Sequence, residues 1–367
     1  MAPMSGAYER PEALIDEETE PDLLLRARDG GSLAVQCWGR PDGHPVVLMH
    51  GMPGSRLGPL PRGVVLERMG IRLISYDRPG YGRSTRRPGR TIAQSAEDVQ
   101  LIADRLGLPR LAVVGRSGGG PHALGCSALL GERVDRVALL VSSAPPDASG
   151  LKWEEGLAEI NADDFADVER SLATAPAGSV AEAGSLRARA EQIRQDPETL
   201  IRFLLPELAA SDRRVVEERA MRNLLIKTYA EAVRQGADGW IDDIVALRSP
   251  WDFKFDDVEC PVLLWHGGDD RFSPPAHTRW MAEKLRNTRD TQAKKDAVQY
   301  RIESGAAHFA AFEIFTEVLR WLVDPVLPQA PSLARTAVGR APDEYAFQPA
   351  APSRSGVRGP APLPAWR

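Results

Sequence analysis

The stretch Leu111-Ala112-Val113-Val114-Gly115-Arg116-Ser117-Gly118-Gly119-Gly120-Pro121-His122 constrains this chain more than any other. A short β-branched run enters it, and a helix with Pro121 in its first turn leaves it. Between them lies Gly115-x-Ser117-x-Gly119, the spacing of a nucleophile elbow. A serine on so sharp a strand-to-helix turn occupies strained backbone, and the positions two away on either side have no room for a Cβ. In return the Ser117 hydroxyl stands above the sheet and the amide of Gly118 points where an oxyanion would form. A glycine-rich turn can also pack closely or cradle a phosphate. Neither the GxxxxGK[ST] pattern nor the GxGxxG spacing is present here.

Length and composition bound the alternatives. A chain of 367 residues accommodates one large α/β domain with an insertion, or two ordinary domains. A net charge of -5 offers no basic footprint for nucleic acid, and no apolar run approaches the length of a membrane span. The N-terminus, with Glu9, Glu12, Asp16, Glu17, Glu18 and Glu20, does not read as a signal peptide. Cys37, Cys126 and Cys260 are odd in number and lack metal-ligand spacing, so they read as reduced core residues of a cytoplasmic protein. No metal or cofactor is called for, and a small molecule is the expected partner.

Taken in order, residues 1–20 are polar and expected to be disordered. A hairpin is expected around Asp29-Gly30-Gly31. Pro45–Met49, Ile71–Tyr76, Leu111–Val114 and Val134–Val141 read as buried strands, each ending in a turn, with helical segments to about Met69 and over Thr91–Leu106. Strand, turn and helix in alternation argue a mostly parallel, doubly wound α/β sheet with ligands at the carboxyl ends of its strands. The alternation stops after Ser143. Residues 147–247 carry almost no strand signal and read as a helical insertion. Strands resume at Cys260–Gly267 and Val298–Ile302, with a charged helix over Pro275–Leu285 and a last helix over Phe309–Val323. The core is thus 21–146 with 248–324, and the Pro- and Arg-rich tail 325–367 is expected to be disordered.

A serine nucleophile needs a base near neutral pKa and a carboxylate that fixes the base's tautomer. In the chain order serine, acid, histidine, His44 and His50 come too early. His122 lies on the outgoing helix, facing away from the turn, and His266 sits in a strand ahead of the acid. His277 follows the acid too closely, which leaves His308, in a loop between the last strand and the last helix. For the acid, Asp269 and Asp270 are adjacent at a strand's carboxyl end and point in different directions, so one alone can meet His308; Asp270 is favoured.

With these residues in hand, the chain resembles the α/β-hydrolase superfamily from about residue 23 to 324. His50-Gly51-Met52-Pro53-Gly54 is similar to the family's HGxPG oxyanion loop, and Asp77-Arg78-Pro79-Gly80-Tyr81-Gly82-Arg83-Ser84 to its DxxGxGxS turn. Further matches are Gly115-Arg116-Ser117-Gly118-Gly119, His266-Gly267-x-x-Asp270 and Gly305-x-x-His308. The resemblance implies the α/β-hydrolase fold, with 147–247 as a helical cap over the pocket. It also implies Asp270 as the acid and the amides of Met52 and Gly118 as the oxyanion hole. One departure is Arg116, where a smaller or less charged residue is usual. It could bind an acidic substrate group or form a salt bridge beneath the cap, and the second reading is preferred.

The family branches that resemble haloalkane dehalogenases and epoxide hydrolases use an aspartate where this chain has Ser117, and Tyr229 is the sole tyrosine between 147 and 247. The expected chemistry is therefore hydrolysis of a small, fairly apolar ester, thioester, lactone or amide. A lyase or cyclase using the same triad without net hydrolysis is the alternative, and an intact triad argues against a mere binding protein. The specific substrate-binding residues within 147–247 and the oligomeric state stay open. The apolar content of that segment, Leu151, Trp153, Leu157, Phe165, Phe203, Leu204, Leu205, Leu224, Leu225, Tyr229 and Trp240, exceeds what its own core needs, so part of it should line the pocket and favour esters with apolar portions over small acetates.

Overall fold

The computed structural model describes residues 20–174 and 182–324; of the segments expected to be disordered, 1–20 and 325–367, all but residue 20 lies outside them. Eight strands form one sheet in the order β1-β2-β4-β3-β5-β6-β7-β8. They are β1 (Leu23–Arg26), β2 (Ser32–Gly39), β3 (His44–Met49), β4 (Ile71–Tyr76), β5 (Leu111–Arg116), β6 (Val134–Leu140), β7 (Val262–Gly267) and β8 (Val298–Glu303). β1 and β2 form the expected antiparallel hairpin, β2 pairs antiparallel with β4, and all remaining pairs are parallel. This is the α/β-hydrolase fold.

The central strands read as unbroken apolar runs because each feeds two cores at once. Along β3, Val47 and Met49 enter one buried cluster while Val46 and Leu48 enter the other. β5 divides in the same way, with Val113 on one face and Ala112 and Val114 on the other. Two helices cover the second face: α1 (Gly63–Met69), through Leu66, and the C-terminal helix Phe315–Val323, through Val318, Leu319 and Leu322. The first face is covered by α2 (Ser95–Arg105), α3 (Gly119–Leu129) and a helix over Ala276–Asn287. All of α3 from Gly119 to Ala128 is buried, which accounts for its lack of charged residues.

Between β6 and β7 the described residues contain helices and no strand. They are α4 (Glu159–Thr174), α5 (Gly184–Gln195), α6 (Glu198–Leu204), α7 (Ala210–Glu217), α8 (Arg219–Ala232) and α9 (Asp238–Leu247). Their apolar faces, including Phe165, Ile193, Leu225 and Ile241, join the first sheet face in one continuous core. After β7 come α10 (Ala276–Asn287), a short α11 (Gln292–Asp296), β8 and α12 (Phe315–Val323). No helix among the described residues is long and apolar enough to cross a membrane.

Two local expectations need correction, and one short helix falls where no element is expected. Helix before Met69 is confined to α1, because Pro53, Pro59 and Pro61 interrupt the segment ahead of it. The polar α11 carries no apolar periodicity; the Thr291 hydroxyl caps it by accepting the Lys294 amide at 3.3 Å. The last helix is not continuous from Phe309: a tight turn over Phe309–Phe312 precedes α12. Winding with a three-residue repeat puts Phe309 and Phe312 on one side, and both face the Arg116 guanidinium.

The chain passes from β3 out to β4 and returns to pair β5 on β3's other edge, with Met49 opposite Gly115. That reversal opens a crevice at the carboxyl ends of β3 and β5, where His50–Gly54 and Ser117 emerge side by side.

Candidate active site

Ser117 falls between the end of β5 and the start of α3 with φ at +54°, a left-handed conformation that costs a non-glycine residue roughly 1–2 kcal/mol. Its neighbours impose that turn. A Cβ on Gly115 would overlap the Gly119 carbonyl, and one on Gly119 would overlap the Met49 carbonyl, so the helix starts hard against β3 and β5. The Ser117 amide donates to the Leu140 carbonyl at 2.8 Å and ties the turn to β6.

Asp270 follows β7 and His308 follows β8, and the two meet. The Asp270 Oδ2 accepts from His308 Nδ1 at 2.8 Å, with the carboxylate fully buried. The other oxygen accepts the amides of Phe272 at 2.8 Å and Ser273 at 3.1 Å, which fixes the carboxylate plane. His266 Nε2 lies 3.1 Å from the Asp270 Oδ2, a second imidazole on the same oxygen that the order of residues along the chain does not reveal. Burial alone would raise the Asp270 carboxyl, but His308 and His266 hold it below the usual carboxylate range. Asp269 is exposed, so of the two adjacent aspartates it is Asp270 that reaches His308.

The two amides expected to form the oxyanion hole are also adjacent. A Cβ on Gly118 would touch the Met52 side chain at 2.7 Å and stand 3.6 Å from the Met52 amide nitrogen. The loop that carries Met52 is held from below. His50 donates from Nδ1 to the Gly51 carbonyl at 2.8 Å and accepts the Arg78 amide on Nε2 at 3.2 Å, so it is a neutral structural imidazole, and burial lowers it well below its ordinary range. The Arg78 guanidinium donates to the carbonyls of His50 and Gly51 and pairs with Asp243 on α9. Asp243 also receives Tyr81 and Arg90. His122 stays out of the site, bonded to the Ser95 hydroxyl at 2.6 Å.

Ser117 and His308 line one cavity with Met52, and its free space is about 60 Å³. The helical insert roofs it with Phe165, Leu204, Tyr229 and Trp240 together with the polar Asn161 and Asp164. Trp153 is buried elsewhere, against Phe165 and His277, and Phe203 is partly exposed. Arg116 also lines the cavity and, among the described residues, forms no salt bridge beneath the insert, contrary to the preferred expectation. The insert further supplies Asp212, whose carboxylate accepts the amides of His308, Phe309 and Ala310. Nothing in the local sequence around Asp212 signals this, since the contact spans 96 residues. Among the described residues, no cluster of three or more His, Cys, Asp or Glu side chains is arranged to hold a metal ion.

Comparison with known proteins bears on the family and the fold. The sequence profile of the alpha/beta hydrolase fold matches residues 44–313. A bifunctional esterase/perhydrolase of Acinetobacter calcoaceticus is 26% identical over 255 residues, covering 68% of this chain and 83% of the relative. An esterase of Escherichia coli K12 is 30% identical over 127 residues, a local match to 34% of this chain and less than half of the relative, 48%. A hydrolase structure from Pseudomonas aeruginosa superposes with a TM-score of 0.56 at 19% identity, covering 82% of this chain and 98% of that one. With the profile spanning most of its length and the strand order and turns described above, this chain belongs to the α/β-hydrolase fold family, and the relatives it matches include esterases, hydrolases and non-heme haloperoxidases.

Proposed function

We propose that the protein hydrolyses small carboxylic esters, or the related thioesters, lactones or amides, through an acyl-enzyme on Ser117. The observation that carries this reading is the 2.8 Å bond between His308 Nδ1 and Asp270 Oδ2, made by a histidine that shares its cavity with Ser117. With Nδ1–H donating to the carboxylate, Nε2 is left unprotonated as the base. His308 takes the Ser117 proton as Oγ attacks the substrate carbonyl, and Asp270 stabilises the imidazolium that forms. The amides of Met52 and Gly118 receive the oxyanion, each such donor being worth about 3 kcal/mol of barrier. The imidazolium then protonates the leaving alcohol as the carbonyl reforms. Water, deprotonated by the same imidazole, attacks the acyl-enzyme through a second oxyanion, and its collapse returns the proton to Ser117 and frees the acid.

Residues 147–247 act in this reading as a cap that encloses a small-molecule substrate. A free space of about 60 Å³ suits a small substrate. None of these steps asks for a cofactor, and a cytoplasmic setting suits the three free cysteines. The esterase half of the Acinetobacter relative's name supports the same chemistry. Labelling with a fluorophosphonate probe, with Ser117→Ala as the control, followed by product analysis on an ester panel, tests the proposal. Labelling lost in the variant and acid products carrying one added water are expected. An unlabelled wild-type serine overturns the mechanism, and products without added water turn the assignment to a lyase or cyclase.

A further inference from the structure

The fold pairs its fully buried arginines with carboxylates. Arg56 meets Asp77 and Glu231, and Arg78 meets Asp243, with no exposure on either guanidinium. Arg116 is only partly buried as a residue, yet it stands beside Ser117 with no carboxylate partner among the described residues. Its Nε and Nη2 are buried with no acceptor, and among the described residues no hydrogen bond or ion pair reaches the group. Its neighbours are two aromatic rings, Phe312 at 4.1 Å and Phe309 at 5.1 Å from the guanidinium carbon. Cation–π contact offsets part of the cost of burying the charge but satisfies no N–H group.

The two carboxylates whose charges act on Arg116 are already committed. Asp270 is taken by His308, His266 and two amides, and Asp212 by three amides. Arg116 immediately precedes Ser117 and lines both the catalytic cavity and a smaller one beside it, and the two share Pro53, Arg116 and Tyr229. Ring contact occupies the faces of a guanidinium and leaves its in-plane N–H groups, which are the groups that bind a carboxylate.

We propose that Arg116 is the receptor for a free carboxylate on the substrate, so that the preferred substrates are small esters or lactones carrying a second, unesterified acid group. The inference rests on the serine-hydrolase reading above and names the substrate class of that site. Asp164, on α4, lines the same cavity; burial lifts its carboxyl to about 7 against the pull of Arg189. Assays at pH 6 therefore keep that group mostly protonated and remove its repulsion of an acidic ligand.

Two ester pairs test the proposal and separate the two sides on which the acid can lie. 4-Nitrophenyl hemiglutarate against 4-nitrophenyl pentanoate places the carboxylate on the acyl side. 3-Acetoxypropanoate against propyl acetate places it on the alcohol side. In the wild type, kcat/KM for the acidic member of at least one pair is expected to exceed that of its neutral partner by roughly tenfold to a hundredfold. Arg116→Gln is expected to remove most of that ratio, whatever happens to the absolute rates, and Arg116→Lys to recover part of it. Glutarate should slow fluorophosphonate labelling of wild-type Ser117 at concentrations where pentanamide does not. A wild-type enzyme that favours the neutral ester in both pairs, or an Arg116→Gln enzyme with an unchanged ratio, overturns the inference, and the wild-type arms decide it even if the variant does not fold. A serine that labels but shows no acid preference removes this inference alone, whereas a serine that does not label removes the hydrolase reading with it.

Discussion

Asp212, on the helical insert, accepts the main-chain amide of His308 at 3.0 Å, and its second oxygen takes the amides of Phe309 and Ala310. A single carboxylate from α7 thereby caps the turn that carries the proposed base. The insert and the sheet are joined at the residue whose placement matters most. Burial raises the Asp212 carboxyl, and His308 with the amides it accepts draws it part of the way back.

Asp212→Asn removes the charge and turns an amide NH2 toward a backbone N–H. Kcat for a neutral ester is expected to fall roughly tenfold to a hundredfold with KM changed little, since the lost interaction is that of a charged group worth about 1.5–3 kcal/mol. The fluorophosphonate labelling rate of Ser117, measured well below the melting temperature, should fall with kcat. A variant that melts earlier but labels at the wild-type rate would make Asp212 a stability residue only.

Asp270 and Asp269 give a sharper contrast. Asp270→Asn is expected to lower kcat on the order of 10⁴-fold by losing the tautomer control over His308. Asp269→Asn should change it less than about threefold, because Asp269 is exposed and its amide, which bonds the Ala306 carbonyl at 2.9 Å, is unaffected. Ser117→Ala and His308→Ala should each approach the background rate, with the double variant barely worse, because the groups act as a unit. Multiplicative losses in steady-state rates would contradict the shared mechanism.

Acyl-chain length reads out the cavity. Phe165, Leu204 and Trp240 give it apolar walls beside the polar Arg116, Asn161 and Asp164, and its free space is about 60 Å³. Among neutral esters kcat/KM is expected to rise from acetate to butyrate and to fall again by octanoate, with each fitting methylene adding about 0.8 kcal/mol of burial. Activity that keeps rising to octanoate would mean that the insert opens well beyond the conformation described.

The parts of this site legible in the sequence are those set by short-range geometry. Gly115, Ser117 and Gly119 are spaced by the elbow itself, and Ser117, Asp270 and His308 each follow the carboxyl end of one of the parallel strands β5, β7 and β8. Asp212, Asp243 and the second imidazole of His266 are not legible there. Asp212 and Asp243 come from a segment whose helices show only amphipathic periodicity, and their partners lie 96 and 165 residues away. His266 has a strand position that fits a buried structural histidine equally well. Arg116 stands out in the sequence, yet an ion pair is the natural expectation for it, because a buried guanidinium without a carboxylate is the costlier arrangement and periodicity gives no sign of it.

His277 links the insert to the sheet through both ring nitrogens, and this makes the fold acid-sensitive. Nδ1 accepts the Ala144 amide at 3.0 Å, so it carries no proton, and Nε2 donates to the Trp153 carbonyl at 2.9 Å. Burial lowers the imidazole to about 4, with the Trp153 carbonyl opposing the shift. The unfolded chain takes up that proton near pH 6.5 and the folded one does not. Stability from this residue is therefore complete above about pH 6.5 and declines as pH falls toward 4, by about 2 kcal/mol at pH 5. Glutamine reproduces both bonds of the neutral ring, its oxygen accepting from Ala144 and its NH2 donating to Trp153. Urea unfolding of wild type and His277→Gln at pH 7.5, 6 and 5 should find the variant slightly less stable at pH 7.5 and closing the gap as the pH falls. Parallel curves across that range would mean that His277 protonates in place, against the direction of the Ala144 bond.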